Sequence, residues 1–233
     1  PSERTEVRLM RTDEALYLGV TCFDGTPAGV LARDRRRDST GSGDDRLRIV
    51  IDPFARGTEG YFFGIAAGGS LGEGIVRSGN RPEMEWDCIW EAKTRVTANG
   101  WVAEVEIPFR SISFEPNQES WGFNIERVIR RKEEKLRWAS ATRQKSLYAL
   151  EGAGRITGMR ELKTGLGLDA RPTAVGRWRE DENGSVTTEL EPSMDLFYRI
   201  TPSLTATWTW QTDFANTEVD ERVGNTTRFP IFF

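Results

Sequence analysis

The chain contains no histidine. That excludes a Ser-His-Asp triad, a His-ligated zinc and a His-ligated haem. Cysteine is nearly absent too, Cys22 and Cys88 being the only two. Cys22 shares a strand face with Leu16, Leu18 and Val20, which predicts a buried free thiol. A Cys22–Cys88 bridge is the alternative in an oxidising compartment. No run approaches the roughly 18 apolar residues of a membrane helix, and no secretory leader is visible. Basic charge is not in excess: 32 Lys and Arg against 36 Asp and Glu leave a net charge of -4. Nucleic-acid binding, which needs a basic footprint, is therefore not expected. The sequence opens at Pro1 without an initiator Met and runs almost at once into a strand. We therefore expect the natural N-terminus to lie upstream.

What is plentiful is aromatic: eight Trp and twelve Phe, a rich supply for a β core. The organising stretch runs from Trp86 to Phe109, WDCIWEAKTRVTANGWVAEVEIPF. Asn99-Gly100 is a strong signal for a two-residue type I′ turn, since both residues tolerate positive φ. Folding there pairs Ala98 with Trp101, Val96 with Ala103, Thr94 with Val105 and Ala92 with Ile107 on one face, which Trp90 extends. The other face pairs Arg95 with Glu104 and Lys93 with Glu106, opposite charges across the ladder. The result is an apolar inner face, with Trp90 and Trp101 in the core, and a charge-paired outer one.

Around this hairpin the chain reads as short strands and turns. Val7 to Arg11, Ala15 to Phe23, Arg46 to Asp52, Tyr61 to Ala67, Leu71 to Arg77, Trp121 to Arg131, Leu136 to Ala139 and Gly152 to Met159 carry the strand pattern. Pro27 to Ala32 suits a single helical turn. Tyr61 to Ala67 is apolar on both sides, which predicts cover on both faces. The polar loop RDRRRD, Arg33 to Asp38, reads as solvated charge rather than an anion site. About nine strands separated by turn signals predict an all-β fold, an antiparallel, jelly-roll-like β-sandwich over residues 1–162.

The pattern lengthens over residues 163–233. In LTATWTWQTDF, Leu204, Ala206, Trp208 and Trp210 form one face and Thr205, Thr207, Thr209 and Gln211 the other. Ten-residue segments of that kind are the signature of outer-membrane barrel strands; a soluble sheet with one buried face is the alternative. Three such strands do not close a barrel, so on the barrel reading the chain stops inside its second domain.

The series TEV, DEALYLGV, FD, RD, DDR, IDPF, GYFF, WDCIWEAK, GWVAEVEIPF, WGFNIERVIRR resembles the family 9 carbohydrate-binding-module-like (DOMON-like) sandwich. More closely it resembles the version at the N-terminus of large bacterial outer-membrane β-barrel proteins, and the tail from Asp195 to Phe233 is similar to the start of their barrel. The resemblance implies a sandwich that binds a saccharide between tryptophans with calcium nearby. It also implies a Gram-negative outer-membrane location, with the sandwich periplasmic or at the cell surface and packed on its own barrel, in the service of glycan capture or carbohydrate catabolism. Other relatives of this sandwich bind haem. Without histidine, and with Met10, Met84, Met159 and Met194 scattered, no haem is expected.

Trp86 is the candidate sugar platform, with Glu83, Glu85 and Asp87 as hydroxyl acceptors, because an indole plate with a few placed carboxylates suits a pyranose. The alternative is that Trp86 folds over the end of the core. Trp121 and Trp138 read as core or partly exposed, without a functional sign. Asp24, Asp44, Asp45 and Asp52 form a candidate calcium set, since calcium takes loop carboxylates; their alternative is solvation or pairing with Arg46 and Arg48. No catalytic residue is assigned. A glycosidase would use two of Glu83, Glu85 and Asp87, but nothing in the sequence buries one to raise its pKa. A structural or interaction domain without sugar binding is the competing class.

Overall fold

The computed structural model describes residues 1–37, 43–77, 79–116, 118–139, 145–163, 168–180, 186–201 and 204–211. The chain divides into two compact units, Pro1–Leu166 with Thr201–Leu204, and Gly167–Ile200 with Thr205–Phe233. The first holds β1 (Thr5–Arg11), β2 (Ala15–Phe23), β3 (Arg46–Asp52), β4 (Glu59–Ala66), β5 (Leu71–Arg77), β6 (Glu91–Thr97), β7 (Gly100–Pro108), β8 (Trp121–Ile129), β9 (Glu134–Arg137) and β10 (Gly154–Ile156). They form two antiparallel sheets. One runs β1-β2-β7-β6; the other runs β10-β8-β3-β4-β5, with β9 also pairing β8.

Period-2 alternation builds the core. Leu16, Leu18, Val20 and Cys22 of β2 and Trp101, Ala103, Val105 and Ile107 of β7 belong to the same buried cluster as residues of the opposite sheet. These are Leu47, Ile49 and Ile51 of β3, Tyr61, Phe63 and Ile65 of β4, and Trp121, Phe123 and Ile125 of β8. Cys22 and Cys88 are both buried and no disulfide joins them. The second sheet is also covered outside, as the pattern of Tyr61 to Ala67 predicts. Val50, Phe62 and Val76 pack there with Leu147 and Leu150, flanked by Met84 and Tyr148. All nine residues of β8 are consequently buried.

A buried polar device sits on that outer face. Glu126 lies directly across from Arg48 on β3 and from Arg137 on β9. Its carboxylate accepts from both guanidinium groups, the second at 2.6 Å. A carboxylate without water needs such partners. Arg48 is thereby drawn away from Asp44 and Asp45, the partners the sequence suggested. The RDRRRD loop is corrected likewise: Arg37 pairs at 2.6 Å with Glu73, which is buried, so this arginine is not merely solvated. Asp38 lies outside the described residues.

The hairpin forms with its faces as expected but with its register displaced by two residues. Val96 pairs with Trp101, Thr94 with Ala103, Ala92 with Val105 and Lys93 with Glu104. Ala98 and Asn99 are the turn, and Gly100 is already in β7. The reason is the third strand. A Cβ on Gly100 would lie 2.1 Å from the Cys22 carbonyl oxygen, and Gly100 takes φ +133°. Beside it, the Asp24 N–H donates to the Asn99 carbonyl at 2.9 Å. Gly100 serves the approach of β2 rather than the turn. A shift of two keeps every side chain on its face, so Trp90 and Trp101 remain buried. Val96, at the sheet's edge, is exposed instead of inward. The charge ladder is only partly kept: Arg95 faces Val102, and Glu91 faces Glu106.

The second unit holds β11 (Leu168–Glu180), β12 (Val186–Thr201) and β13 (Leu204–Trp210), in the order β11-β12-β13. Leu168 pairs with Tyr198 and Glu180 with Val186 at the two ends of an unbroken antiparallel ladder. Trp208 and Trp210 are exposed. Residues 212–233 of the tail lie outside the described residues.

Three measurements follow from this packing. In chemical denaturation, Trp101→Ala is expected to cost about 3–5 kcal/mol. Gly100→Ala is expected to cost about 1–3 kcal/mol through backbone strain, whereas Asn99→Ala stays within about 0.5 kcal/mol; equal effects at 99 and 100 would restore the turn to Asn99-Gly100. Burial pushes the Cys22 thiol up to about 12, so at pH 8 the native thiol is neutral and slow to react. Mass spectrometry after iodoacetamide should find Cys22 unmodified in the native protein and alkylated in denaturant. Deleting residues 167–233 should leave the unfolding midpoint of the sandwich unchanged, and a lost cooperative transition would show that the tail completes its core.

Candidate functional site

The segment leading into β6 is shaped by its contact with β5. Ile75 and Glu83 exchange backbone hydrogen bonds of 3.0 and 2.8 Å. The approach is close enough that a Cβ on Gly74 would lie 2.6 Å from the Glu83 carbonyl oxygen. From there burial alternates. Met84 and Trp86 are half-buried and Cys88 and Trp90 buried, while Glu83, Glu85, Asp87 and Ile89 are exposed. The even positions turn inward and the odd ones face solvent.

Trp86 lies over the edge of the core and is half-buried. Its ring packs against Tyr61, centroids 4.8 Å apart and planes tilted by 38°, and it borders the main core. The Tyr61 hydroxyl accepts a hydrogen bond of 2.9 Å from the Ser113 N–H, which fixes the supporting ring. The indole therefore caps the core and keeps part of its surface in solvent. The three acids are less well gathered. Glu83 is ion-paired with Arg77, and Glu85 and Asp87 sit at the outward positions on either side of Trp86.

The four aspartates are all buried but do not converge. Asp52 accepts from the N–H groups of Phe54 (3.0 Å) and Gly57 (2.7 Å), shaping its own loop. Asp44 accepts from the N–H groups of Arg33 and Asp34, each at 2.6 Å. Asp24 accepts from the Thr26 N–H at 2.7 Å and from Arg131. Asp45 accepts from the Arg130 N–H at 2.9 Å. Burial pushes the Asp45 carboxyl above the usual range, against the lowering effect of that N–H and of Arg127, and with Asp24 adding to the rise. Among the described residues no three His, Cys, Asp or Glu side chains are grouped to hold a metal. The calcium set read from the sequence is thus not gathered around one ion: each carboxylate accepts from backbone amides or a guanidinium group, although Asp24 Oδ2 and Asp45 Oδ2 have no hydrogen-bond partner among the described residues.

Sequence reasoning passed over a cleft at the other side of the sandwich, where β1 and β9 edge the two sheets. Its volume is about 440 Å³, and Val7, Leu47, Ile125, Arg127, Leu136 and Trp138 line it. Trp138, 57% exposed, packs on Phe123 at 5.8 Å between centroids and covers Gly154, where a Cβ would lie 2.3 Å from the indole. Arg127 continues the inward series Trp121, Phe123, Ile125. Its position on an otherwise apolar face was a legible signal of an arginine held inside.

The fold has counterparts among solved structures. The chain is similar to a candidate carbohydrate-binding protein from Bacteroides uniformis, with TM-score 0.55 and 11% identity, over 66% of this chain and 78% of that one. A family 9 carbohydrate-binding module from Caldicellulosiruptor kristjanssonii matches in two structures, with cellotriose and with glucose. The TM-score is 0.44 for each, with 17% and 16% identity, over 67% of this chain and 75% and 77% of theirs. No family model matches the chain, and no curated protein does. The Bacteroides likeness concerns the fold: an all-β antiparallel sandwich is the architecture the two proteins share.

Proposed function

We propose that the sandwich is a non-catalytic carbohydrate-binding module of an outer-membrane β-barrel protein, acting in glycan capture or carbohydrate catabolism. The observation that carries this reading is Trp86, a partly exposed indole braced by Tyr61 at the end of a rigid two-sheet scaffold. Loops at such ends are where binding residues collect. The C–H face of a pyranose stacks on an indole while neighbouring acceptors take its hydroxyls. Glu85 and Asp87 are exposed and within the same segment. The saccharide-bound family 9 structures and the Bacteroides protein agree with this choice of ligand class. A glycosidase is disfavoured: Glu83, Glu85 and Asp87 are all exposed and Glu83 is ion-paired, whereas hydrolysis needs one carboxyl held protonated by its surroundings.

The long ladder of β11 and β12 and the exposed Trp208 and Trp210 support reading the second unit as the opening strands of a barrel, with the sandwich periplasmic or at the cell surface. A second reading, a structural or interaction domain packed on that barrel, is favoured by the scant convergence of acids around Trp86.

Calorimetric titration with glucose and cello-oligosaccharides distinguishes the two. One indole plate should give a constant between millimolar and micromolar, about -4 to -8 kcal/mol. Trp86→Ala should abolish the binding with the fold intact. Binding that survives the substitution unchanged moves the site elsewhere, and absence of binding to any saccharide leaves the interaction domain as the function.

A further inference from the structure

The outward face of the first sheet carries a groove. β1, β2, β7 and β6 lie side by side, and where every second residue fills the core, the alternate ones face out. Register sets Arg8, Gly19, Glu104 and Lys93 in one row across the four strands. In the next row Tyr17 stands opposite Glu106. These residues line a groove of about 530 Å³, within the ordinary range of ligand sites, about 300–1,000 Å³.

Gly19 is the residue that the fold does not account for. A glycine inside a strand weakens it and often marks a place where something approaches closely. At other strand glycines of the sandwich the neighbour is visible. A Cβ would lie 2.4 Å from the Ile51 carbonyl oxygen at Gly60 and 2.6 Å from the Glu83 carbonyl oxygen at Gly74. At Gly19 it would meet nothing within 4 Å. Gly19 is exposed, and its φ is not positive. Neither packing nor backbone conformation therefore requires a glycine there. Its missing side chain leaves the floor of the groove open. Beside that gap, half-buried Tyr17 donates its hydroxyl to Glu106 Oε1 at 3.2 Å. The bond ties the phenol to the neighbouring strand and fixes an aromatic plate next to the open floor.

The charges of the groove select among ligands. A cation meets Arg8 and Lys93, and an anion meets Glu104 and Glu106. An aliphatic ligand would take water from all four without pairing any of them. A neutral chain of hydroxyls brings a donor and an acceptor at nearly every carbon and so answers both signs, while its C–H faces suit the aromatic plate. The row spans three strand spacings, about 14 Å in all, which is longer than one sugar ring.

We propose that this groove holds a neutral oligosaccharide across the four strands, over Gly19 and against Tyr17, as a second site separate from Trp86. The choice of saccharide rests on the carbohydrate-binding reading of the sandwich. The two sites do not share residues: Trp86 packs on Tyr61 of β4, in the other sheet, at the border of the core.

The test is NMR titration of the 233-residue chain with cellohexaose, xylohexaose and mannohexaose, following the Lys93 backbone amide for the groove and the Trp86 indole N–H for the other site. At least one hexasaccharide should shift the Lys93 amide, and should still do so in Trp86→Ala. Gly19→Leu adds a side chain into open space, so its unfolding midpoint should not fall. It should weaken the binding read at Lys93 about tenfold or more and leave the Trp86 titration unchanged. Tyr17→Ala should weaken the groove likewise, whereas Tyr17→Phe, which keeps the plate, should retain it. A shift at Lys93 without one at Trp86 upholds the groove and removes the Trp86 platform. A shift at Trp86 alone overturns the groove and leaves the carbohydrate reading standing. The groove is also overturned if Gly19→Leu leaves the Lys93 titration unchanged, or if Trp86→Ala abolishes both shifts. No shift at either reporter removes the carbohydrate reading and this second site with it.

Discussion

Between the sheets, Trp101 of β7 and Trp121 of β8 are fully buried, and the geometry of the sandwich follows from filling that space. Phe109 and Phe114 pack edge-on or tilted against Trp121, with centroids 5.7 and 5.6 Å away, and Phe63 meets Trp90 edge-on at 5.0 Å. Aromatic contacts of this kind add roughly 0.5–1.5 kcal/mol each beyond the area they bury. Dense packing of large rings also leaves little freedom of register, since a shifted strand would offer small residues where large ones are needed. The loops at the ends inherit their positions from this fit. Trp86 is held because Tyr61 is a core residue, and Tyr61 is held because β4 is covered on both sides.

Polar groups inside the sandwich work under the same constraint. Glu126 is acceptable within the outer layer of the second sheet because two arginines face it from adjacent strands. Such an arrangement adds little net stability compared with an apolar core, but it penalises any pairing that separates the charges. Asp44 and Asp52 show a simpler solution, in which backbone N–H groups of their own loops satisfy the carboxylate. Arg127 is held less completely: among the described residues its Nε and Nη2 have no hydrogen-bond partner, and Asp24 Oδ2 lies 4.0 Å from Nη2.

The hairpin shows how far local rules reach. The apolar and charged faces were readable from alternation, because side-chain direction depends on parity alone. The register was not, because Asn99-Gly100 carries an equally good local reason for a turn and a non-local reason for a close approach to Cys22. The same limit applies to Trp86. Its place just before β6 was legible, while its contact with Tyr61 joins positions far apart in the chain.

The sequence by itself determined that this is a chain of short antiparallel strands with an aromatic core, a buried thiol at Cys22 and no histidine chemistry. It also marked the change to longer strands near residue 163. These properties follow from composition and period, which act over a few residues. Only the tertiary structure decided the partners of the charged groups: Arg48 with Glu126 rather than Asp44, Arg37 with Glu73, and four aspartates not grouped around one ion. A carboxylate near others in sequence is not thereby near them in space. Its partner is set by which strands pair and by which backbone amides reach it first, and strand pairing over long separations is fixed by the fit of whole faces, not by any local signal.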